Sequence, residues 1–126
     1  MRRTVSAMPR FVILEHNHPT LHWDFMLEAG DVLRTWRFAM PPAPGQSCAA
    51  SRLFDHRLVY LDYEGQVGGG RGKVRRWERG GYEWLEEGPD RIVVKLMGEV
   101  FSGVIRLVRL SGDEWSARFE GEEVSS

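Results

Sequence analysis

The alternation of apolar and polar positions is strand-like along nearly the whole chain. Phe11-Val12-Ile13-Leu14 is a short unbroken apolar run, as in a buried strand. Residues 22–28 alternate instead, with Trp23, Phe25 and Leu27 on one face and His22, Asp24, Met26 and Glu28 on the other. Ala29-Gly30-Asp31 is a turn signal, and residues 32–38 continue as a second strand, which predicts a hairpin. Pro41, Pro42, Pro44 and Gly45 then break the pattern into a loop. Residues 52–63 read as one or two short strands, and residues 65–72 as a glycine-rich connection. Residues 74–79 and 82–85 flank Gly80-Gly81, which predicts a hairpin turn. Residues 91–97, 104–110 and 115–119 complete the set, and no segment carries a capped helical stripe. Many short strands at close spacing predict a mostly β fold, a small and largely antiparallel β-barrel over residues 9–120. Residues 1–8 are expected to form a flexible leader, with Met8 an alternative start, and residues 121–126 a flexible polar tail.

Composition narrows the setting. A length of 126 residues suits one domain, and 42% hydrophobic with 28% charged residues is ordinary for a globular protein. Five Trp, six Phe and three Tyr supply bulky side chains for a small core. The single cysteine, Cys48, has no intrachain partner, and it favours a reducing, cytoplasmic setting. Two N-terminal arginines without an apolar run behind them do not make a secretory signal. No stretch approaches the ~18–20 apolar residues a membrane helix needs, so no membrane partner is expected, and a monomer is. Net charge is −1, so bulk charge lends no support to nucleic-acid binding. Arg71, Lys73, Arg75, Arg76 and Arg79 do cluster, and the reading given most weight is a solvated strand face.

The histidines carry the chemistry. All four fall at His16, His18, His22 and His56, with Asp24 close behind the first three. Imidazole with carboxylate suits a divalent transition metal. On a strand His22 and Asp24 project to one side, and the loop containing Pro19 can fold His16 back toward them. A merely polar His-rich surface loop is the competing reading. A phosphate-cradling loop fails on spacing, because Gly72-Lys73 is followed by Val74 and preceded at the first glycine position by Val67. The tryptophans read as core, and Cys48 as structural.

Two histidine motifs in order resemble a known family. Phe11 through His16, then Leu21-His22-Trp23-Asp24-Phe25 and Leu27-Glu28, are similar to the opening motif of the 3'-phosphoesterase domain of bacterial DNA ligase D. Asp55-His56, Tyr60 and Asp62-Tyr63-Glu64-Gly65 resemble its second motif, and Trp77-Glu78-Arg79-Gly80 and residues 98–110 its later strands. The resemblance implies a compact β-barrel that trims 3' ends at DNA breaks, removing a 3'-terminal ribonucleotide and then the 3'-phosphate. It implies manganese as the metal, with zinc or another transition metal as alternatives, held by His16, Asp24 and His56. His22 and Tyr60 would contact the scissile phosphate, with His22 donating the proton. Partners would be DNA or RNA-containing 3' ends and other DNA-repair proteins.

Three family cations are absent, their positions falling on Met26, Met40 and Cys48. Arg34, Arg37, Arg52 and Arg57 are the candidates to replace them, and Arg52 joins His22 and Tyr60 in the expected substrate-binding set. The sequence thus leads to a metal-dependent phosphoesterase of altered or weak activity. The alternative is a catalytically impaired metal-binding module for nucleic acid or a phosphate ligand. A purely structural relic fits less well with an intact His16, Asp24 and His56.

Overall fold

The computed structural model describes residues 8–124. Ten strands follow in order: β1 (Arg10–His16), β2 (His22–Ala29), β3 (Val32–Phe38), β4 (Gln46–Arg52), β5 (His56–Arg57), β6 (Gly65–Gln66), β7 (Lys73–Glu87), β8 (Arg91–Gly98), β9 (Phe101–Ser111) and β10 (Glu114–Glu123). A single 3-10 turn at Leu58–Leu61 is the helical element among the described residues, as the lack of helical periodicity predicts. No helix among them is long and apolar enough to cross a membrane.

Eight strands form a closed antiparallel barrel in the order β1-β2-β3-β4-β10-β9-β8-β7, and β7 returns to pair with β1. Closure leaves no long unpaired edge to recruit another chain. The short strands β5 and β6 lie off this ring, paired with β3 and β7.

Two apolar layers use opposite faces of the same strands. Inside the barrel, Phe11, Ile13, Phe25, Leu27, Trp36 and Phe38 meet Tyr82, Ile92, Val94, Ile105, Leu107 and Phe119. On the outer face, Val12 and Leu14 of β1 and Met26 of β2 pack with Leu33, Leu61 and Val74. The segment from residue 58 to 67 covers them with Leu58, Tyr60, Tyr63 and Val67. The unbroken apolar run of β1 follows from this, since a strand covered on both sides needs no polar face. Trp36 is fully buried and Trp115 nearly so, while Trp23, Trp77 and Trp84 pack against the same core, as expected for core tryptophans.

Two local expectations are corrected, and a stretch given no element proves to be a strand. Gly80-Gly81 is no hairpin turn: β7 runs through it for 15 residues. Its first half pairs with β1 and its second with β8, and the two ladders overlap at these glycines. A Cβ on Gly80 would lie 2.0 Å from the Met97 carbonyl oxygen, so glycine here provides room for a neighbouring backbone. Gln46–Arg52 is a strand although its small and polar residues carry no alternation; its ladder to β10 holds it. Most of the segment expected as strand over residues 52–63 is instead irregular, reduced to two-residue β5 and the 3-10 turn. The hairpin at Ala29-Gly30 is as predicted, with Gly30 at φ 65. Of the expected tail, β10 takes in residues up to Glu123, which pairs with Phe101. Residues 1–7 of the leader and 125–126 of the tail lie outside the described residues.

One buried carboxylate fastens the barrel at the same corner. Glu78 is only 4% exposed, and its oxygens accept hydrogen bonds from the backbone N–H groups of Arg79, Glu99, Val100 and Phe101 at 2.7–2.9 Å. The turn between β8 and β9 is thereby tied to β7, with the donors a buried carboxylate requires.

Gly80→Ala should cost about 1–3 kcal/mol in urea denaturation, the usual penalty for overpacking. Gly68→Ala, with open space around it, should stay within about 0.5 kcal/mol. Tyr82 gives a pH signature. Its hydroxyl donates to the Glu28 carbonyl at 2.6 Å, and burial pushes its phenol up to about 12. In the unfolded chain the phenol ionises near 10, so between about pH 10 and 12 the unfolded state binds fewer protons. Stability should therefore fall as pH rises through that window. Tyr82→Phe should remove this component of the decline, read from denaturation midpoints across the same range.

Candidate active site

The β1–β2 hairpin assembles the centre of the site. In its register His16 lies opposite His22, and Leu14 opposite Asp24. Alternation then turns His16, His22 and Asp24 to the outer face of the barrel wall. The two imidazoles meet edge to face with centroids 4.8 Å apart. Asp24 Oδ2 lies 3.4 Å from His22 Nε2 and 4.0 Å from His16 Nδ1.

Hydrogen bonding assigns the ring protons. His16 Nε2–H donates to the Arg71 carbonyl at 2.8 Å, and His22 Nδ1–H donates to the Thr20 carbonyl at 2.9 Å. A carbonyl oxygen only accepts, so these nitrogens carry the protons. His16 Nδ1 and His22 Nε2 are left to face the Asp24 carboxylate. Two imidazole lone pairs and a carboxylate in a buried place need a proton or a cation between them. His22 Nε2 and Asp24 Oδ1 have no hydrogen-bond partner, and neither has the neighbouring Arg37 Nε, which lies 3.6 Å from Asp24 Oδ1. One ligand atom from each of His16, His22 and Asp24 lies within 4.8 Å of the others. A nitrogen, nitrogen and oxygen set with each ring anchored through its second nitrogen fits a divalent transition metal.

A cavity of about 540 Å³ opens beside this group, between the barrel wall and residues 53–71. His16 and Asp24 line it, with His56 and Tyr60 from the covering segment. His56 sits on β5, which is held to β3 by the Leu33–His56 pair. Its Nδ1–H donates to the Phe54 carbonyl at 3.0 Å, leaving Nε2 as the lone-pair nitrogen. Tyr60 stands edge-on to it at 5.9 Å. The predicted His16, Asp24, His56 and Tyr60 thus share one cavity, but His22 rather than His56 completes the tight group.

Arg52 has a different place from the one expected. Its guanidinium lies 4.7 Å over the Trp36 ring and donates to the carbonyls of Thr35 and Leu53 and to Asp55. It is not among the residues lining the cavity; Arg37, Arg57 and Arg71 are. Arg71 belongs in the sequence to the cluster read as a solvated face, and the structure puts it at the cavity instead. Its role depends on the glycine-rich segment folding over β1, which no local pattern announces. Arg75, Arg76 and Arg79 do form such a face, paired with Glu15, Glu64 and Glu99.

The three missing cations also separate. Met40 and Cys48 lie together in a small hollow with Pro41 and Pro42, away from the cavity. Burial pushes the Cys48 thiol up, in keeping with a structural role. Met26 alone lines the cavity, on the expected face, yet it is 2% exposed within the outer apolar layer.

Fold and site together define a class: a small closed barrel whose outer wall carries a histidine–aspartate centre beside a cavity that Arg37, Arg57 and Arg71 help to line. The family is specific. The model of the DNA Ligase D 3'-phosphoesterase domain matches residues 14–120, and this chain belongs to that family. It is similar to the multifunctional non-homologous end joining DNA repair protein LigD of Mycobacterium tuberculosis, 35% identical over 116 residues and 85% of this chain. The LigD proteins of Pseudomonas aeruginosa and Mycolicibacterium smegmatis are 34% and 32% identical, each over 86% of this chain. The chain spans only 14–16% of the length of these curated relatives.

Met26 supplies a test of the cavity floor. Met26→Leu should change stability by less than about 1.5 kcal/mol, as volume-conserving core swaps do. Met26→Arg should cost more than Met26→Leu, because the guanidinium starts among Val12, Leu33 and Leu61 and must reach the cavity to be solvated. Paired thermal melts and urea curves check both.

Proposed function

We propose that this chain is a divalent-metal-dependent phosphoesterase acting on 3' ends of DNA, removing a 3'-terminal ribonucleotide and the phosphate left behind. The observation that carries the reading is the convergence of His16 Nδ1, His22 Nε2 and Asp24 Oδ2 in a buried place beside an arginine-lined cavity. Family membership supports the substrate class. A bound divalent ion, manganese by the family resemblance, would polarise a phosphoryl oxygen.

In this reading His16, Asp24 and His56, which line one cavity, would hold the ion. His22 would then stay off the ion and act as an imidazolium, its Nδ1–H kept on the Thr20 carbonyl and a second proton on Nε2, facing Asp24, given to the leaving oxygen. Tyr60 donates its hydroxyl to the phosphate, and Arg37, Arg57 and Arg71 neutralise its charge. Met26 in place of a family cation leaves a weaker grip, so turnover is weak, below the family norm. A second reading is favoured by the 4.8 Å grouping: His22 is the third ligand and His56 faces the phosphate. The two exclude each other, since a His22 bound through Nε2 has no proton there to give. The protein is further proposed to act as a cytoplasmic monomer alongside other DNA-repair proteins.

Turnover of an oligodeoxynucleotide ending in 3'-phosphate, with manganese, tests the function. Asp24→Ala should abolish it. His22→Ala should lower kcat by about 10²–10⁴-fold, the usual scale of general acid catalysis. Manganese titration separates the two ligand sets: His56→Ala loses the ion and His22→Ala keeps it in the first reading, and the reverse holds in the second. No manganese-dependent turnover by the wild type would overturn the function itself.

A further inference from the structure

Phe54 is the most exposed large apolar side chain among the described residues, at 78%. It stands at the cavity with one ring face stacked on His56, centroids 4.8 Å apart and planes 5° from parallel. Singly exposed apolar side chains are ordinary, and what sets Phe54 apart is its place at the cavity mouth against His56.

The backbone that carries it is held on both sides. Leu53 N–H donates to the Thr35 carbonyl at 3.0 Å, and Arg52 donates to the Leu53 carbonyl and to Asp55. His56 Nδ1–H donates to the Phe54 carbonyl itself. Arg52 in turn lies on Trp36, which is fully buried in the barrel. The outer face of the Phe54 ring is therefore presented from a fixed support, and its other face rests on an imidazole that lines the site. A flat ring with one open face beside cavity arginines suits a planar nucleobase joined to a phosphate.

We infer that Phe54 is a stacking platform for the base of the nucleotide whose 3' phosphate ester is cut, with Arg52 positioning the turn that carries it. The inference rests on the function proposed above and adds to it a requirement for a base at the terminal nucleotide. Neither His16, His22 nor Asp24 contributes to this preference.

The experiment compares two short oligodeoxynucleotides ending in 3'-phosphate, identical except that one has an abasic terminal nucleotide. Fluorescence anisotropy without manganese reads binding, and KM with manganese reads use. Phe54→Ala should weaken binding and raise KM for the base-bearing end by about five- to a hundredfold, the range for loss of one base–aromatic stack. The abasic end should be unaffected, and Phe54→Tyr should behave as wild type. Phe54→Leu, which keeps an apolar side chain but no ring, should resemble Phe54→Ala, so that a small folding defect does not mimic the result. Equal losses on both ends, or no loss on either, would overturn the platform while leaving the phosphoesterase intact. Failure of the wild type to bind or cleave either end would overturn both, and is seen without any variant.

Discussion

The register of the β1–β2 hairpin governs the site. With His16 opposite His22 and Leu14 opposite Asp24, three polar side chains land on the outer face of one wall. The apolar side chains of Phe11, Ile13 and Phe25 fill the barrel behind them. A slip of one residue would exchange these sets, burying imidazoles and carboxylate in the barrel and exposing the aromatics. The cost of that exchange is set by the core, so the core enforces the geometry of the centre. Closure adds a second constraint, because β1 is also paired on its other side with β7 and cannot slide alone.

A barrel wall facing open water would leave such a group fully hydrated. Here the segment between β4 and β7 folds back over the outer face, seating Leu61 and Tyr60 on Val12, Leu14 and Met26. The segment has little regular structure, and its attachments are specific. His16 bonds to the Arg71 carbonyl, Asn17 accepts from the Lys73 N–H, and Leu53 bonds to Thr35. The covering segment thus brings His56, Tyr60, Arg57 and Arg71 to the cavity and also lowers the polarity around Asp24. Charges there act over a shorter, less screened path than on the open surface.

Further along the β1–β7 ladder, the corner at Glu78 and Gly80 lets β7 serve two neighbours. A side chain at Gly80 would collide with the Met97 carbonyl, and four backbone donors around the Glu78 carboxylate would otherwise be left without that partner. This corner keeps β7 continuous from its pairing with β1 to its pairing with β8, which is what closes the barrel.

The strand character of most segments, the antiparallel barrel and the histidine–aspartate motif were legible in the sequence. Each depends on local alternation or on residues a few positions apart, as with His22 and Asp24 on one strand. The same logic failed where long-range partners decide. Gly80-Gly81 has the composition of a turn, yet two flanking ladders hold it straight; Gln46–Arg52 lacks alternation, yet β10 makes it a strand. Tertiary structure alone decided that His22 approaches Asp24 and His16 more closely than His56 does. It also took Arg52 out of the cavity and onto Trp36, and brought Arg71 in. Spacing along a strand determines which way a side chain points, while the fold of a distant irregular segment determines what it meets.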